Sequence, residues 1–265
     1  MTVRIARLSA ALLFAAPLAG APLIAQGVEY APGISKFRIT TATSGSQTTP
    51  AGTANFEVGV DEKITVNLMK HAKDTVMATL TLDTISINSA GPKPDLSKLM
   101  GAKFISLVSP TGKFYSVKGP EGLDPQLSQI TDGVGKFLPV FHANLATGQT
   151  WSDTLSGKVT QMGMEMDRTS VSNFKVEGDT TIGGEKAFKI ARTMSAKGAG
   201  SGNMQGTAVT MEMAGTSAGA FYITPKGAYL GSIAKDDVNI KLTVLAQNME
   251  ITIKQIGTTK TEPIK

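Results

Sequence analysis

Residues able to perform acid–base or metal chemistry are scarce in this sequence. Its 265 residues include no cysteine and two histidines, His71 and His142. A zinc site takes three or four ligands, so two distant histidines could form one only together with carboxylates. Lys70 and Lys73 flank His71 and repel a cation there. We therefore expect no metal site at the histidines and no cofactor.

Methionines are the chemically unusual feature of the chain. Met162, Met164 and Met166 form one alternating run, and Met211 and Met213 form a second. Because side chains alternate along a strand, each run places its thioethers on a single face. Thioethers are soft ligands that suit Cu(I), and methionine also fills irregular or adaptable apolar surfaces. Three interpretations stay open: core packing, a face that contacts lipid or peptide, and a Cu(I) site.

Catalytic patterns are weak in this sequence. It has no phosphate-binding loop and no dinucleotide-binding Gly-x-Gly-x-x-Gly run. Ser201 lies between glycines in a predicted loop, not on the sharp strand-to-helix turn of a serine nucleophile. Two carboxylate pairs, Asp61–Glu62 and Asp236–Asp237, fall at predicted strand ends, where charged side chains are usually solvated. We therefore predict a non-enzymatic protein with no catalytic residue.

The first 25 residues have the features of a bacterial export signal. Arg4 and Arg7 precede an uncharged stretch from Leu8 to Ala25 with an apolar centre and small residues near its end. We expect cleavage after Ala25, with an uncleaved membrane anchor as the alternative. The sequence thus predicts a periplasmic or secreted protein that does not span the membrane after cleavage, with a single domain over residues 26–265.

The charge pattern limits the partners. The 26 basic and 21 acidic residues are spread along the chain without a long block of either sign. Nucleic-acid binding proteins need a clustered basic surface, so we expect no nucleic-acid partner. A hydrophobic small molecule, a lipid or a protein of the cell envelope stays possible.

Alternation with a period of two dominates the mature sequence and predicts long antiparallel strands. Over 55–69 the apolar face is interrupted only at Glu62, which predicts one half-buried strand or a hairpin that bends there. The apolar phase reverses between Leu82 and Ile85, as at a β-bulge. It reverses again within 238–254, which we interpret as one long, bent strand.

Other segments complete the predicted architecture. An Asp-Pro start and apolar spacing predict an amphipathic helix at about 124–135, between two loosely similar halves, about 28–120 and 151–258. Segments 42–53 and 196–208, rich in small polar residues, are predicted loops, and a tight turn is predicted near Gly227. The fold class is therefore mainly β: a large curved antiparallel sheet, half-barrel-like, with one or two short helices packed against it.

Part of the chain resembles a known group of proteins. Phe-Leu-Pro-Val-Phe at 137–141, followed by Gly-Gln-Thr-Trp at 148–151, is similar to a Leu-Pro…Gly-x-x-Trp element of an uncharacterised family of secreted bacterial β-proteins. This resemblance implies grouping and no particular activity. The long curved strands with an intervening helix are distantly similar to lipoprotein-carrier half-barrels, which implies an apolar concave face beneath a helical lid.

These observations predict an exported protein that binds a lipid or other hydrophobic ligand in the concave face of a curved sheet. The predicted ligand-binding residues share apolar strand positions: Met162, Met164, Met166, Leu80, Leu82, Leu242 and Val244. The alternative is a structural or interaction protein of the cell envelope, with its function in surface loops.

Overall fold

The computed structural model describes residues 24–90, 94–121, 133–161, 164–204 and 206–264. Three predicted features lie wholly or partly outside these ranges: the signal peptide up to residue 23, Met162, and the helix at 124–135 up to residue 132. The end of that helix, residues 133–135, is described and is helical.

The described residues are mainly β-strand, as predicted. The strands are β1 (Ile24–Ala25), β2 (Gly33–Thr49), β3 (Gly52–Ala72), β4 (Thr75–Ser89), β5 (Ala102–Val108), β6 (Phe114–Lys118), β7 (Leu145–Ala146), β8 (Thr150–Gln161), β9 (Met164–Ile182), β10 (Glu185–Met204), β11 (Thr207–Ile223), β12 (Tyr229–Val244) and β13 (Met249–Ile264). Short 3₁₀-helices occupy Ser97–Leu99 and Leu245–Gln247.

One antiparallel sheet contains eleven of these strands. Their order is β6-β5-β4-β3-β2-β13-β12-β11-β10-β9-β8, and β1 pairs separately with β7. Sheet neighbours also follow one another along the chain, except at the pair of β2 with β13. That pair joins the two halves of the chain into one sheet. The sheet is not closed into a barrel, and β6 and β8 are its edges, which confirms the predicted fold class.

A β-bulge in β4 confirms the first predicted change of phase. In the pairing of β4 with β3, Asp83 is an extra residue between Leu82 and Thr84. The extra residue reverses the alternation, so Ile85 points to the same face as Leu82. β3 itself runs without a break through Glu62, so the hairpin alternative does not form.

The second change of phase has a different origin, and the predicted single strand over 238–254 is wrong. The structure has a hairpin there: β12 ends at Val244, Leu245–Gln247 form a turn, and β13 begins at Met249. Asn248 has a left-handed conformation, with φ 47°, at the end of this turn. The turn contains neither glycine nor proline, so the usual sequence signal for it is missing.

The two segments predicted as loops are strands. Residues 42–53 belong mostly to β2 and β3, and residues 196–208 mostly to β10 and β11. Glycines are needed there because neighbouring strands approach closely. A Cβ atom on Gly200, for example, would lie 2.4 Å from the carbonyl oxygen of Glu165 and 2.7 Å from Cγ of Met166. Glycine richness in these segments therefore reflects close packing of strands.

The large core lies on one side of the sheet, which we call the inner face, and the opposite side is the outer face. The strands contribute aromatic and branched side chains from both halves of the chain: Phe37, Ile64, Val66, Leu80, Leu82, Phe104, Phe174, Val176, Phe188, Ile190, Phe221 and Ile223. Leu99 of the first 3₁₀-helix is fully buried in this core. The short helix is therefore packed against the sheet, as predicted.

Two irregular segments cover the large core. The segment before β2 contributes Tyr30, and the segment before β7 contributes Phe141. The Tyr30 hydroxyl donates a hydrogen bond to the carbonyl oxygen of Pro139 at 2.6 Å, and the two aromatic rings meet edge to face at 5.0 Å. The hydrogen bond satisfies the buried hydroxyl, as burial of a polar group requires.

Candidate ligand-binding face

A second apolar group lies on the inner face, at the opposite ends of β9, β11 and β12 from the large core. We call it the methionine cluster; its members are Met164, Met166, Val209, Met211, Ile240 and Leu242. Met164, Met166 and the core residue Phe174 occupy even positions of β9 and therefore share a face. The described part of the methionine run, Met164 and Met166, thus has the single-faced arrangement predicted for it.

Glycines of β10 make room for the methionines of β9. A Cβ atom on Gly200 would lie 2.7 Å from Cγ of Met166, and one on Gly202 would lie 2.7 Å from Cγ of Met164. The methionine side chains therefore lie across β10. The strand register places Met166 and Met211 on either side of Gly200, so the two methionine motifs come together.

The predicted ligand-binding residues fall in two separate places. Four described ones belong to the methionine cluster or pack on it: Met164, Met166, Leu242 and Val244. The other two, Leu80 and Leu82, are part of the large core in the other half of the sheet. The Cu(I) interpretation stays a prediction, and its candidate ligands Met164, Met166 and Met211 share one cluster.

The methionine cluster is closely packed. Met164 is 0% exposed and Met166 is 1% exposed. Of the surface hollows lined by described residues, three have volumes of about 1010, 710 and 450 Å³, and none of these is lined by a predicted ligand-binding residue. The charged residues that line the 710 Å³ hollow lie on the outer face and balance in sign: Asp167, Lys197, Glu212 and Lys241.

Small side chains fill much of the inner face between the large core and the methionine cluster. The register aligns one row of inner-face residues directly across seven strands, from β10 to β4: Arg192, Gly219, Ala234, Thr259, Thr41, Val60 and Ile87. From β10 to β3 this row spans five strand spacings, or about 24 Å. We call this row, with its neighbour through Met194, Ser217, Asp236, Gly257, Thr43 and Val58, the inner trough.

The inner trough lies on the more protected side of the sheet. Its residues in β12 and β13, such as Ala234 and Thr259, are half-buried, whereas the outer-face residues beside them are exposed. This alternation shows that the inner face of these strands is less exposed to solvent than their outer face. The trough therefore offers a sheltered surface bordered by larger apolar side chains.

Two arginines lie on the inner face at the β9–β10 side of the sheet. Arg192 belongs to the inner trough, and Arg168 lies beside the methionine cluster, aligned with Gly198. The Nε atoms of Arg168 and Arg192 are buried and have no hydrogen-bond partner among the described residues. Nη2 of Arg192 donates to Sδ of Met194 at 2.9 Å, and a thioether is a weak acceptor. Burial lowers the pKa of Arg192; the carboxylate of Asp236 opposes this shift, and the positive charge of Arg168 adds to it.

The sequence interpretation of the paired carboxylates is wrong. Glu62 and Asp236 lie within β3 and β12, not at strand ends, and both belong to the inner face by register. Their neighbour Asp61 lies on the outer face and forms an ion pair with Arg38. Burial raises the pKa of Glu62 to about 7, and the charge of Asp61 adds to this shift.

We expect a Glu62→Gln substitution to remove a pH-dependent loss of stability. The pKa of Glu62 in the folded protein is about 7, against an ordinary value of 4.5, so the folded state binds the proton more tightly. The wild type is stabilised by this group below pH 4.5 and loses that contribution as the pH rises to about 7, by on the order of 3 kcal/mol.

Urea unfolding across this pH range measures the effect. The variant should resemble the wild type near pH 4 and have the higher free energy of unfolding near pH 8. Glu57→Gln, at an exposed outer-face position of β3, is the matched control and should retain the wild-type pH dependence. The expectation would be contradicted if the free energy of unfolding changed with pH to the same extent in all three proteins.

One sequence match was missed in the sequence interpretation, and its geometry is not that of a nucleophile turn. Residues 215–219 read Gly-Thr-Ser-Ala-Gly, a Gly-x-Ser-x-Gly pattern. The nucleophile of that motif stands exposed on a sharp turn between a strand and a helix. Ser217 instead lies within β11 and is buried on the inner face.

The histidines lie far from the methionine cluster in the chain. His71 is exposed near the end of β3, and Nδ1 of His142 lies 3.3 Å from Nε2 of Gln149. Among the described residues, no group of three or more His, Cys, Asp or Glu side chains is arranged to hold a metal ion. The same residues include no helix with the length and apolar character needed to cross a membrane.

Comparisons with known proteins give distant likenesses. No protein-family model matches the chain, and no curated protein matches it. Among solved structures it is similar to a DUF1329 family protein from Desulfovibrio piger, with 7% identity and a TM-score of 0.20 over 82% of this chain and 83% of the other.

Two further solved structures are similar at the same level. A putative outer membrane lipoprotein-sorting protein domain from Vibrio parahaemolyticus has 8% identity and a TM-score of 0.15 over 82% of this chain and 83% of its own. The COG4313 outer membrane channel from Pseudomonas putida has 7% identity and a TM-score of 0.18 over 89% and 97%. Likenesses this distant say nothing about the ligand or activity of this chain.

Proposed function

We propose that this protein acts by binding, not by catalysis, and that its inner face holds a lipid or another apolar ligand. The observation that supports this proposal is the inner trough. Its small and half-buried side chains lie on the sheltered side of an open sheet. The side chains of Val60, Ala234 and Thr259 are each partly open to solvent.

The β3–β4 end of the inner trough supplies the apolar contacts. Val58, Val60 and Ile87 share the inner face there and are only half-buried. A contiguous apolar surface that stays partly open to solvent is typical of a binding site. At the other border of the trough, the half-buried Met213, which packs on the methionine cluster, can adjust to ligands of different shape.

The compartment proposed for this activity is the cell envelope or the extracellular space. The support is the export signal read from the first 25 residues. An apolar ligand that crosses an aqueous compartment needs a protein surface that excludes water from it. A sheltered trough on a soluble sheet would provide that surface.

Binding of the neutral fluorescent probe N-phenyl-1-naphthylamine tests the proposal. The folded wild type should bind the probe saturably, at one site per chain. Val60→Asn should weaken binding about tenfold, because it places a polar amide in the trough. Val171→Asn, at a half-buried outer-face position of β9, is the matched control and should bind like the wild type.

The same titration can contradict the proposal. Failure of the folded wild type to bind the probe would favour the alternative, an interaction protein of the envelope. An equal loss of affinity in both variants would place the probe outside the inner trough.

A further inference from the structure

The two arginines of the inner face, Arg168 and Arg192, form no ion pair among the described residues. The ion pairs found among described residues are elsewhere: Arg38–Asp61, Lys158–Glu165, Lys189–Glu177, Lys241–Glu250 and Lys260–Glu262. Arg168 and Arg192 therefore differ from these five basic residues, which form ion pairs and are more exposed.

The two arginines lie on neighbouring strands of the inner face, and the charge of Arg168 contributes to the lowered pKa of Arg192. Arg192 is aligned with Phe174, and Arg168 with Gly198, so their Cα atoms lie six residues apart along the strands, about 20 Å. The contact of Arg192 with Met194 shows that its side chain points towards Arg168. Between the two, β9 and β10 present mostly small side chains: Ser170, Ser172, Met194 and Ala196.

Burial of these groups is unfavourable without an acceptor. A guanidinium that loses water from an N–H and gains no hydrogen bond carries a desolvation penalty of several kcal/mol. Asp236 is the acidic inner-face residue aligned with Met194, but it lies on β12, two strand spacings or about 10 Å from β10. It forms no ion pair with Arg192 among the described contacts, so its longer-range attraction offsets only part of the penalty.

We infer that Arg168 and Arg192 bind the acidic group, a carboxylate or a phosphate, of an amphipathic ligand whose apolar part lies in the inner trough. This inference rests on the function proposed above. The planar guanidinium matches the oxygens of both groups and binds them through paired hydrogen bonds. The hydroxyls of Ser170 and Ser172 lie between the arginines and can donate further hydrogen bonds.

The row of residues across the sheet fixes the orientation of such a ligand. Arg192 stands at one end of the row, and Val60 lies five strand spacings away on β3, at about 24 Å. The acidic group would therefore lie over β9 and β10, and the apolar chain would extend over β12, β13 and β2 towards β3. An uncharged ligand of the same shape would lose the contacts at the arginine end.

Affinities for oleate and for methyl oleate test the inference, since the two share a chain and differ in the acidic group. The wild type should bind oleate at least about tenfold more tightly, as hydrogen bonds to charged groups imply. Arg168→Met and Arg192→Met should each remove most of this difference and leave methyl oleate binding unchanged. Lys175→Met, which removes one charge from the outer face of β9, should behave like the wild type.

Two further measurements define the acidic group and the integrity of the variants. The affinities for oleyl phosphate and oleate are compared, and the ligand that binds more tightly shows whether the site prefers phosphate or carboxylate. Thermal unfolding should give the arginine variants a melting temperature equal to or above that of the wild type, because each loses a buried charge that forms no ion pair with a described residue. A loss of oleate affinity in a folded variant is then a loss of the anion contact.

Inorganic phosphate separates failure of this inference from failure of the proposed function. Equal wild-type affinities for oleate and methyl oleate would overturn the anion site and leave apolar binding intact. If no lipid binds, but phosphate raises the melting temperature of the wild type and not of the arginine variants, the anion site stands and the apolar function falls. No response to any of these ligands would overturn both.

Discussion

A Gly227→Ala substitution is expected to lower the free energy of unfolding by about 3 kcal/mol or more. Gly227 lies in the turn between β11 and β12 with φ 82°, a left-handed conformation that costs alanine about 1 kcal/mol. The larger effect is a collision. An added Cβ atom would lie 1.6 Å from the carbonyl oxygen of Glu29, so the backbone on one side must move.

The collision matters because the turn holds the segment that covers the large core. The N–H of Ala31 donates to the carbonyl oxygen of Gly227 at 3.2 Å, and Tyr30 beside it is buried in the core. Displacing this contact would loosen the cover of the core at that end of the sheet. We expect partial exposure of Tyr30 as well as lower stability.

Chemical denaturation of two glycine variants separates strain from collision. Gly148 has a similar left-handed conformation, with φ 86°, but an added Cβ there would meet no atom within 4 Å. Gly148→Ala should therefore cost only about 1 kcal/mol. If both variants lost the same stability, the close approach of Glu29 would not be the cause.

A Met164→Asp substitution is expected to destabilise the protein by about 4 kcal/mol or to prevent folding. Met164 is 0% exposed within the methionine cluster, so the new carboxylate would be buried among apolar side chains. It would also remove the packing of the thioether over Gly202. Both effects act on the folded state, whether or not the protein carries a ligand.

Met164→Leu is the matched control for this variant. A leucine keeps the apolar character and nearly the volume of methionine, and swaps of this kind usually cost less than about 1.5 kcal/mol. Circular dichroism and urea unfolding of both variants measure the difference. Near-wild-type stability of Met164→Asp would mean that the methionine cluster opens to water in solution.

Much of the fold follows from alternation in the sequence. The strand over 55–69, the bulge near Asp83 and the turn at Gly227 were each predicted, because period-two patterns and turn residues report local backbone geometry directly. The order of strands was not predicted. The pairing of β2 with β13 connects residues far apart in the chain, such as Thr41 and Thr259, and no local pattern specifies it.

The candidate site was predicted in part. Met164 and Met166 do lie on one face, but Leu80 and Leu82 belong to another cluster, since only the register decides which apolar positions meet. Arg168 and Arg192 were missed, although a signal was present. Each occupies a strand position whose neighbours on the same face are largely apolar: Arg168 follows Met166 by two residues, and Arg192 follows Ile190 by two residues. A charged residue in such a position is a candidate for function.

The pairing of β2 with β13 has a consequence for folding. β2 is synthesised well before β13, so the hairpins within each half of the sheet can form before the pairing of β2 with β13 becomes possible. Contacts between such distant residues close a long loop and form slowly. Until then β2 is an unpaired edge, open to other chains. The second half of β2 has almost no apolar side chains; residues 40–49 read Thr-Thr-Ala-Thr-Ser-Gly-Ser-Gln-Thr-Thr. This composition disfavours aggregation while the edge of β2 is unpaired.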